Sequence, residues 1–305
     1  MRHIGSRILQ AVIASFGVIT IVFFVMHLSG DPTLLLVPEG ATAEQIAQLR
    51  HQLGFDRPLP VQYLAYLSDL LRGDLGQSLV QRLPVSLILG SRLPYTLELA
   101  AGALAVALIV GIPAGIAMAV WRGGVVERVL AAVVLAGQSL PTFWSGILLI
   151  LLFGVTLRWL PTSGADSFAS LLMPSLALGA LAMSTFARMT RVSVLDELSR
   201  DYVNAARARG LSMGATVVRH VLRNAAIPVI TVTALEIGNL LAGAVIVETV
   251  FAWPGIGQLA MQSIQARDFL VVQAVVLFVS VTYIGLNLIA DLTYAAIDPR
   301  IRSAA

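Results

Sequence analysis

Six long apolar segments constrain the fold of this chain more than any other feature of its sequence. They cover residues 8–28, 96–121, 129–156, 170–188, 227–251 and 270–292. A helix needs about 20 apolar residues to cross about 30 Å of hydrocarbon. The segment at 170–188 is the weakest, because it is short and begins near Pro174. We predict an all-α polytopic membrane protein with six transmembrane helices. Pro113 and Pro141 fall inside the second and third helices, where a kink is tolerated if neighbours satisfy the freed carbonyl.

The charge content excludes several other classes of protein. Only 12% of the residues are charged and 57% are hydrophobic, whereas a soluble domain carries about 25% charged residues. The net charge of +3 does not indicate nucleic-acid binding, because the arginines follow membrane topology. The chain has no cysteine, and its four histidines lack ligand spacing, so no metal site is predicted.

All twenty basic residues are arginines. The phosphate-binding loop of ATPases requires a lysine, so this chain cannot contain that loop. We therefore expect the chain to bind no cofactor itself. If ATP drives its activity, ATP and magnesium must be bound by other subunits.

The placement of arginine predicts the orientation of the chain in the membrane. Arg122 and Arg128 flank the short loop after the second span, whereas the loop after the third span contains only Arg158. The first of these loops is therefore cytoplasmic, and with six spans both termini are cytoplasmic too. We divide the chain into an N-terminal transmembrane helix (1–28), an extracytoplasmic segment (29–95) and a core of five further spans (96–305).

The extracytoplasmic segment shows clear helix signals. The sequence TAEQ at residues 42–45 has the form of a capping box, and Gly54 can end the helix that it begins. A second amphipathic helix is expected to end at Gly73. In the core, the pair Gly111 and Gly115 has the spacing of close helix–helix packing.

The longest predicted cytoplasmic loop covers residues 190–226. We expect two short helices broken at Gly210, with the first capped near Ser193. The second is capped by Ser212 and extends to Pro228. The small side chains before Gly210 allow another surface to approach closely. The alternative interpretation is a solvated basic connector that only satisfies the positive-inside bias.

This loop resembles the EAA loop of permease subunits in ATP-binding-cassette importers. The motif is Glu-Ala-Ala, three residues and Gly, and the stretch NAARARG (204–210) keeps both alanines and the glycine but has Asn204 in place of the glutamate. The Ile-x-Leu-Pro end of the motif is matched here only by Leu222. Further stretches of this chain resemble the dipeptide and oligopeptide branch of these permeases. They are GDLGQSL (73–79), RLPYTLELA (92–100), GLSMGATVVRHVLRNAAIPVIT (210–231), VETVFAWPGIGQL (247–259) and DPRIR (298–302).

The resemblance implies a type I importer fold in a bacterial inner membrane, and a peptide substrate. It also implies a second, homologous permease, two ATPase subunits or one fused ATPase, and an extracellular binding protein. The loop would be the coupling helix that docks on the ATPase. The residues concerned are Asn204, Ala205, Ala206, Arg207, Arg209, Gly210, Leu211 and Ser212.

Polar residues within the spans are candidates for the translocation path, because an unpaired carboxylate in hydrocarbon costs several kcal/mol. Glu236 and Asn239 share a helix face, and Gln138 and Ser139 precede Pro141. Glu236 and Asn239 could instead hydrogen-bond between helices within the bundle. At the outer end of the fifth span, Glu248, Trp253, Pro254 and Gly255 are candidates for an outer gate or a binding-protein dock. The alternative for Trp253 is an aromatic anchor at the interface.

Two other classes of function, a secondary transporter or channel and a membrane enzyme, are alternatives to the importer. A secondary transporter or channel that works alone would usually show inverted repeats and several intramembrane charges, and we find no repeat. A membrane enzyme would need a paired catalytic constellation, and no such pattern stands out. The sequence does not select among dipeptides, oligopeptides and metal complexes as substrate.

Overall fold

The computed structural model describes residues 2–28, 42–52 and 54–297, and every regular element in that part of the chain is helical. The helices are α1 Arg2–Leu28, α2 Ala43–Gln52, α3 Leu59–Leu71, α4 Val85–Val120, α5 Val125–Ser139, α6 Thr142–Leu149, α7 Phe168–Leu198, α8 Asp201–Ala208, α9 Met213–Thr216, α10 Leu222–Val250, α11 Ile256–Gln265 and α12 Phe269–Ile297. A π-helical turn, Ile150–Thr156, extends α6, and another, Val217–Val221, joins α9 to α10. The motif at 298–302 lies outside the described residues.

Four helical stretches are long and apolar enough to cross a membrane alone, and two bent pairs complete the predicted six spans. The single spans are Gly5–Val25, Val85–Val120, Phe168–Leu198 and Phe269–Ile289. The pairs are Val125–Ser139 with Thr142–Thr156, bent by 108°, and Met213–Ile230 with Leu235–Val250, bent by 52°. The all-α, six-span fold class is confirmed.

The third span is broken rather than kinked. Leu140, which precedes Pro141, has φ −85° and ψ 128°, and α5 ends at Ser139. A proline disfavours the helical conformation in the residue before it, because its ring collides with that residue's backbone. Pro141 then forms the N-cap of α6, so the expectation that it lies inside a continuous helix was wrong.

The fourth span is longer than the sequence predicted. It forms the 31-residue helix α7, which begins before Pro174 and continues to Leu198. More than half of its most apolar window is buried within the chain. Because α7 packs against protein, it accommodates the small and polar residues that weakened its signal in the sequence.

Glycine brings α4 and α7 into close contact, as the spacing of Gly111 and Gly115 predicted. A Cβ atom added at Gly111 would lie 2.7 Å from the carbonyl oxygen of Met183. One added at Gly115 would lie 2.5 Å from the carbonyl oxygen of Ala187. Both obstacles are backbone atoms of α7, so neither position has space for a side chain.

Two compact units divide the chain: Met1–Pro94 with Gly255–Ile284, and Tyr95–Pro254 with Gly285–Ala305. The core of the first contains Val85, Ile88, Leu89, Ile256, Leu259, Val271, Ala274 and Val275. The larger core of the second includes Leu99, Met173, Phe186, Leu240, Phe251 and Trp253. In the first unit, Thr42 and Gln45 form the predicted capping box at α2, with reciprocal bonds of 3.0 and 3.3 Å.

Asp268 fixes a loop in the first unit to the start of α12. Its carboxylate accepts hydrogen bonds from the Ser78 hydroxyl and from the backbone N–H of Leu79 and Val80. Asp268 and Ser78 are each 2% exposed. This buried contact orders the end of the GDLGQSL stretch.

Candidate functional site

The predicted break at Gly210 is a well-formed helix terminus. We call residues 201–212, which comprise α8 and the turn after it, the elbow. The N–H of Gly210 donates to the carbonyl of Arg207 at 2.9 Å, and the N–H of Leu211 donates to that of Ala206 at 3.3 Å. These two bonds define the Schellman motif, which requires a left-handed residue, and Gly210 has φ +88°. The Ser212 hydroxyl then accepts from the N–H of Ala215, as predicted for an N-cap.

One face of the elbow is exposed and the other is anchored. Asn204, Ala205, Arg207 and Arg209 are exposed, whereas Val203 is 2% exposed. Val203 belongs to a buried cluster with Ala119, Val194, Val221 and Ala225. The elbow therefore rests on α4, α7 and α10 and presents its small and basic side chains outward.

A hydrogen-bond network holds the elbow to the two long helices beside it. The Tyr202 hydroxyl donates to Glu197 Oε2 at 2.6 Å, and Asn224 Nδ2 donates to the same oxygen at 3.2 Å. Burial, and then the hydrogen bond to the Glu197 carboxylate, raise the pKa of Tyr202 above that of an ordinary tyrosine. This network joins α7, α8 and α10.

Two details of the loop prediction were wrong. Ser193 does not cap a helix, because it lies inside α7 and is buried. The first short helix begins only at Asp201, after Arg200 at the N-cap. The second does not end at Pro228, because α10 continues through this proline to Val250. The loop is therefore shorter than residues 190–226, since long helices supply both of its ends.

Gln138 and Ser139 line a cavity at the break between α5 and α6. Its volume is about 300 Å³, and its walls also include Thr142 and Ser145. The opposite wall comes from α7, through Ala177, Ala180 and Leu181. The four polar side chains are all neutral, and Ser139 already donates to the carbonyl of Leu135 at 2.9 Å. The break thus exposes polar groups to a space that a small molecule could enter.

Glu236 and Asn239 are neighbours on α10. The Glu236 carboxyl interacts with the Asn239 side chain and with Thr185 of α7. Glu236 is half-buried and Asn239 is exposed. The Glu236 carboxyl thus lies beside α7, and the neighbouring Asn239 is exposed on the isolated chain.

The candidate residues at the outer end of α10 are mostly buried. Glu248 is 0% exposed and accepts a hydrogen bond from the Thr96 hydroxyl at 2.7 Å. Trp253 is 1% exposed, and its Nε1 donates to the carbonyl of Tyr95 at 2.8 Å. Pro254 is half-buried, and Gly255 is buried at the N-cap of α11. An exposed aromatic anchor is thereby excluded for Trp253.

One ion pair in the structure was not predicted from the sequence. Arg191 of α7 pairs with Glu127, and the N–H of Gly123 donates to the other Glu127 oxygen at 2.6 Å. This contact ties the loop before α5 to α7. Opposite charges beside neighbouring spans were the available signal, but their pairing depends on which spans are adjacent in space.

Comparison with known proteins identifies the family. The family model described as binding-protein-dependent transport system inner membrane component matches residues 111–303, and the model of its N-terminal region matches residues 1–100. The chain belongs to this family. It is therefore the inner-membrane permease subunit of an ABC importer, with several membrane spans. ATP hydrolysis in such importers takes place in separate ATPase subunits.

Named relatives match the permease along its whole length. The glutathione transport system permease protein GsiC of Salmonella choleraesuis (strain SC-B67) is 45% identical over 303 residues, which is 99% of each chain. GsiC of Escherichia coli (strain K12) is 44% identical over the same length.

The fold of the permease is also that of solved importers. A chain of the inward-facing MetNI methionine ABC transporter matches with a TM-score of 0.59 at 19% identity. The match covers 69% of this chain and 96% of the transporter chain. An amino acid ABC transporter has a TM-score of 0.53 at 16% identity, with 68% and 93% covered.

Proposed function

We propose that the permease imports peptides and forms half of the translocation path. The observation that carries this proposal is the full-length similarity to permeases named for the transport of glutathione, which is itself a tripeptide. The stretches that resemble the dipeptide and oligopeptide branch support the same substrate class. The other half of the path would come from a second, homologous permease, and substrate would arrive on an extracellular binding protein.

The elbow is the proposed docking site for the ATPase. Its outward residues are small, polar or basic and do not belong to the buried cluster beneath: Asn204, Ala205, Arg207 and Arg209. Two ATPase subunits, or one fused ATPase, would bind ATP and magnesium and move the elbow. Because Tyr202 and Val203 fix the elbow to long helices, the motion would reach the spans instead of being absorbed by a flexible loop.

The path would pass the cavity at Gln138 and Ser139 and the exposed side of Glu236 and Asn239. At the outer end, Glu248, Trp253, Pro254 and Gly255 fit a gate better than a binding-protein dock. A dock needs exposed side chains, whereas Glu248 and Trp253 are buried.

Transport by the reconstituted system tests the proposal. We expect labelled glutathione or dialanine to enter proteoliposomes only when ATP, the ATPases, the partner permease and the binding protein are all present. Uptake by this chain alone, or without ATP, would show a secondary transporter instead. An active, ATP-dependent system that carries neither peptide would contradict the substrate class and leave the family unaffected.

The Glu236→Gln variant tests the path. Glutamine keeps a hydrogen-bonding group for Asn239 and Thr185 but removes the charge that would attract a peptide's amino group. We expect the KM for a peptide with a free amino terminus to rise about tenfold, as for the loss of one charge-assisted hydrogen bond, while the N-acetylated peptide is unaffected. Glu44→Gln, at an exposed position of α2, is the matched control. Equal KM values for Glu236→Gln and the unmodified permease would assign Glu236 to helix packing.

A further inference from the structure

A second cavity, in the unit formed by Met1–Pro94 and Gly255–Ile284, has the composition of a ligand site. Its volume is about 260 Å³, slightly below the range of about 300–1,000 Å³ that is typical of small-molecule sites. It therefore suits a molecule of amino-acid size better than an extended peptide. Every residue that forms it belongs to α1, to residues 54–76 or to the first turns of α12, which the arginine pattern places at the extracytoplasmic side.

The floor of the cavity is apolar and well packed. Phe23, Ala274 and Leu277 are 3%, 4% and 6% exposed, and Leu75 and Leu270 complete the surface. An aliphatic side chain of four carbons would bury most of its apolar area here, and this burial favours binding.

Charges of both signs surround this floor. Arg57, Asp69 and Asp74 all line the cavity. In the described part of the chain, the side chains of Arg57 and Asp69 form no ion pair or hydrogen bond with any other residue. The cavity thus offers both a cation and an anion that are not neutralised by each other.

The walls are held in place by their own hydrogen bonds. Gln62 Nε2 donates to the carbonyl of Arg57 at 2.8 Å and to that of Phe55 at 3.3 Å, which fixes the loop that carries Arg57. Asp74 Oδ1 accepts from the N–H of Gly76 at 2.8 Å, which leaves its other oxygen for a ligand. The site therefore needs little ordering on binding, and such preorganisation lowers the entropic cost.

Two buried polar groups strengthen the assignment. Gln273 is 8% exposed and lines the cavity, and the Tyr66 hydroxyl is buried beside it. The two side chains interact, yet within the described residues the Tyr66 hydroxyl has no partner at full hydrogen-bonding geometry. A buried hydroxyl without such a partner is destabilising, and a ligand that bonds to the hydroxyl removes that cost.

We propose that this cavity binds a free α-amino acid with an apolar side chain. The ammonium group meets Asp69 and Asp74, the carboxylate meets Arg57, and the side chain lies on Phe23 and Leu277. The Tyr66 hydroxyl and the Gln273 amide complete the polar contacts. This site is separate from the cavity at residues 137–145, and the proposal stands whether or not the permease carries peptides.

Binding to the full-length permease in lipid nanodiscs tests the proposal, with L-leucine as the probe and saturation-transfer NMR as the readout. L-leucinamide lacks the carboxylate and 4-methylpentanoate lacks the ammonium group. Each should bind about tenfold more weakly than L-leucine, because each loses one charge-assisted interaction. Arg57→Gln and Asp69→Asn should weaken L-leucine binding by a similar factor.

Matched controls separate a site from general surface charge. Arg72→Gln and Asp56→Asn remove the same charges from exposed positions of the same segment outside the cavity, and should change the affinity less than twofold. Tyr66→Phe should weaken binding severalfold without lowering the thermal unfolding temperature. The proposal is overturned if L-leucine shows no saturable binding, if either analogue binds equally well, or if the controls weaken binding as much as the cavity variants.

Discussion

Replacing Gly115 with alanine is expected to lower the folded yield of the permease severely. The added Cβ would lie 2.5 Å from the carbonyl oxygen of Ala187 and 2.7 Å from the Cβ of Thr190. Neither atom is the end of a flexible side chain, so α4 and α7 must separate along their contact. Overpacking of this kind costs about 1–3 kcal/mol, which is a large part of a typical stability of 5–15 kcal/mol. Thermal unfolding in detergent, followed by size-exclusion chromatography, measures the loss.

Gly90→Ala is the matched control for this prediction, because Gly90 lies on the same helix and a Cβ there meets nothing within 4 Å. It should leave the unfolding temperature unchanged or raise it slightly, since alanine favours a helix over glycine by about 1 kcal/mol. If Gly115→Ala were as stable as Gly90→Ala, the close approach of α4 and α7 would be wrong.

The Ala205→Glu variant should strongly reduce transport while leaving the permease folded. Ala205 is exposed on the outward face of the elbow, so the fold loses no contact. In the proposed complex, however, the carboxylate would be buried against the ATPase without a partner, which costs several kcal/mol. We expect co-purification of the ATPase and ATP-driven uptake both to fall by at least about tenfold, since 1.4 kcal/mol already corresponds to that factor.

Ala47→Glu makes the same change at an exposed alanine of α2, on the predicted extracytoplasmic side. This control should keep both the ATPase and the uptake. Normal uptake by Ala205→Glu would mean that the elbow is only a connector between helices. Loss of folded protein would instead place Ala205 inside the core, against its observed exposure.

Local signals in the sequence predicted the parts of the fold that depend on a few neighbouring residues. Gly210 ends α8 because only glycine readily adopts the left-handed conformation there, and Ser212 caps α9 through a bond three residues away. The capping box at Thr42 was found in the same way. The apolar runs gave the number of spans, because span length follows directly from bilayer thickness.

Features that depend on distant residues were not predictable from one sequence. The extent of α7 was missed because its neighbours bury its polar positions, as Ser184 shows by donating to the carbonyl of Val134 on α5 at 2.8 Å. The outcomes also differ at Pro141, which ends a helix, and at Pro228, which lies inside a helical span that bends by 52° a few residues later. Likewise, the buried pair of Thr96 and Glu248 joins residues 152 positions apart.

The break between α5 and α6 has an electrostatic consequence for the cavity beside it. The carbonyl end of a helix carries a partial negative charge of about half an elementary charge, and the N–H end carries the opposite. At residues 139–142 the negative end of α5 and the positive end of α6 meet at one cavity. Its field therefore comes from backbone dipoles, although Gln138, Ser139, Thr142 and Ser145 are neutral. Unlike a field from carboxylates or imidazoles, this one does not titrate, so it stays the same when the external pH changes.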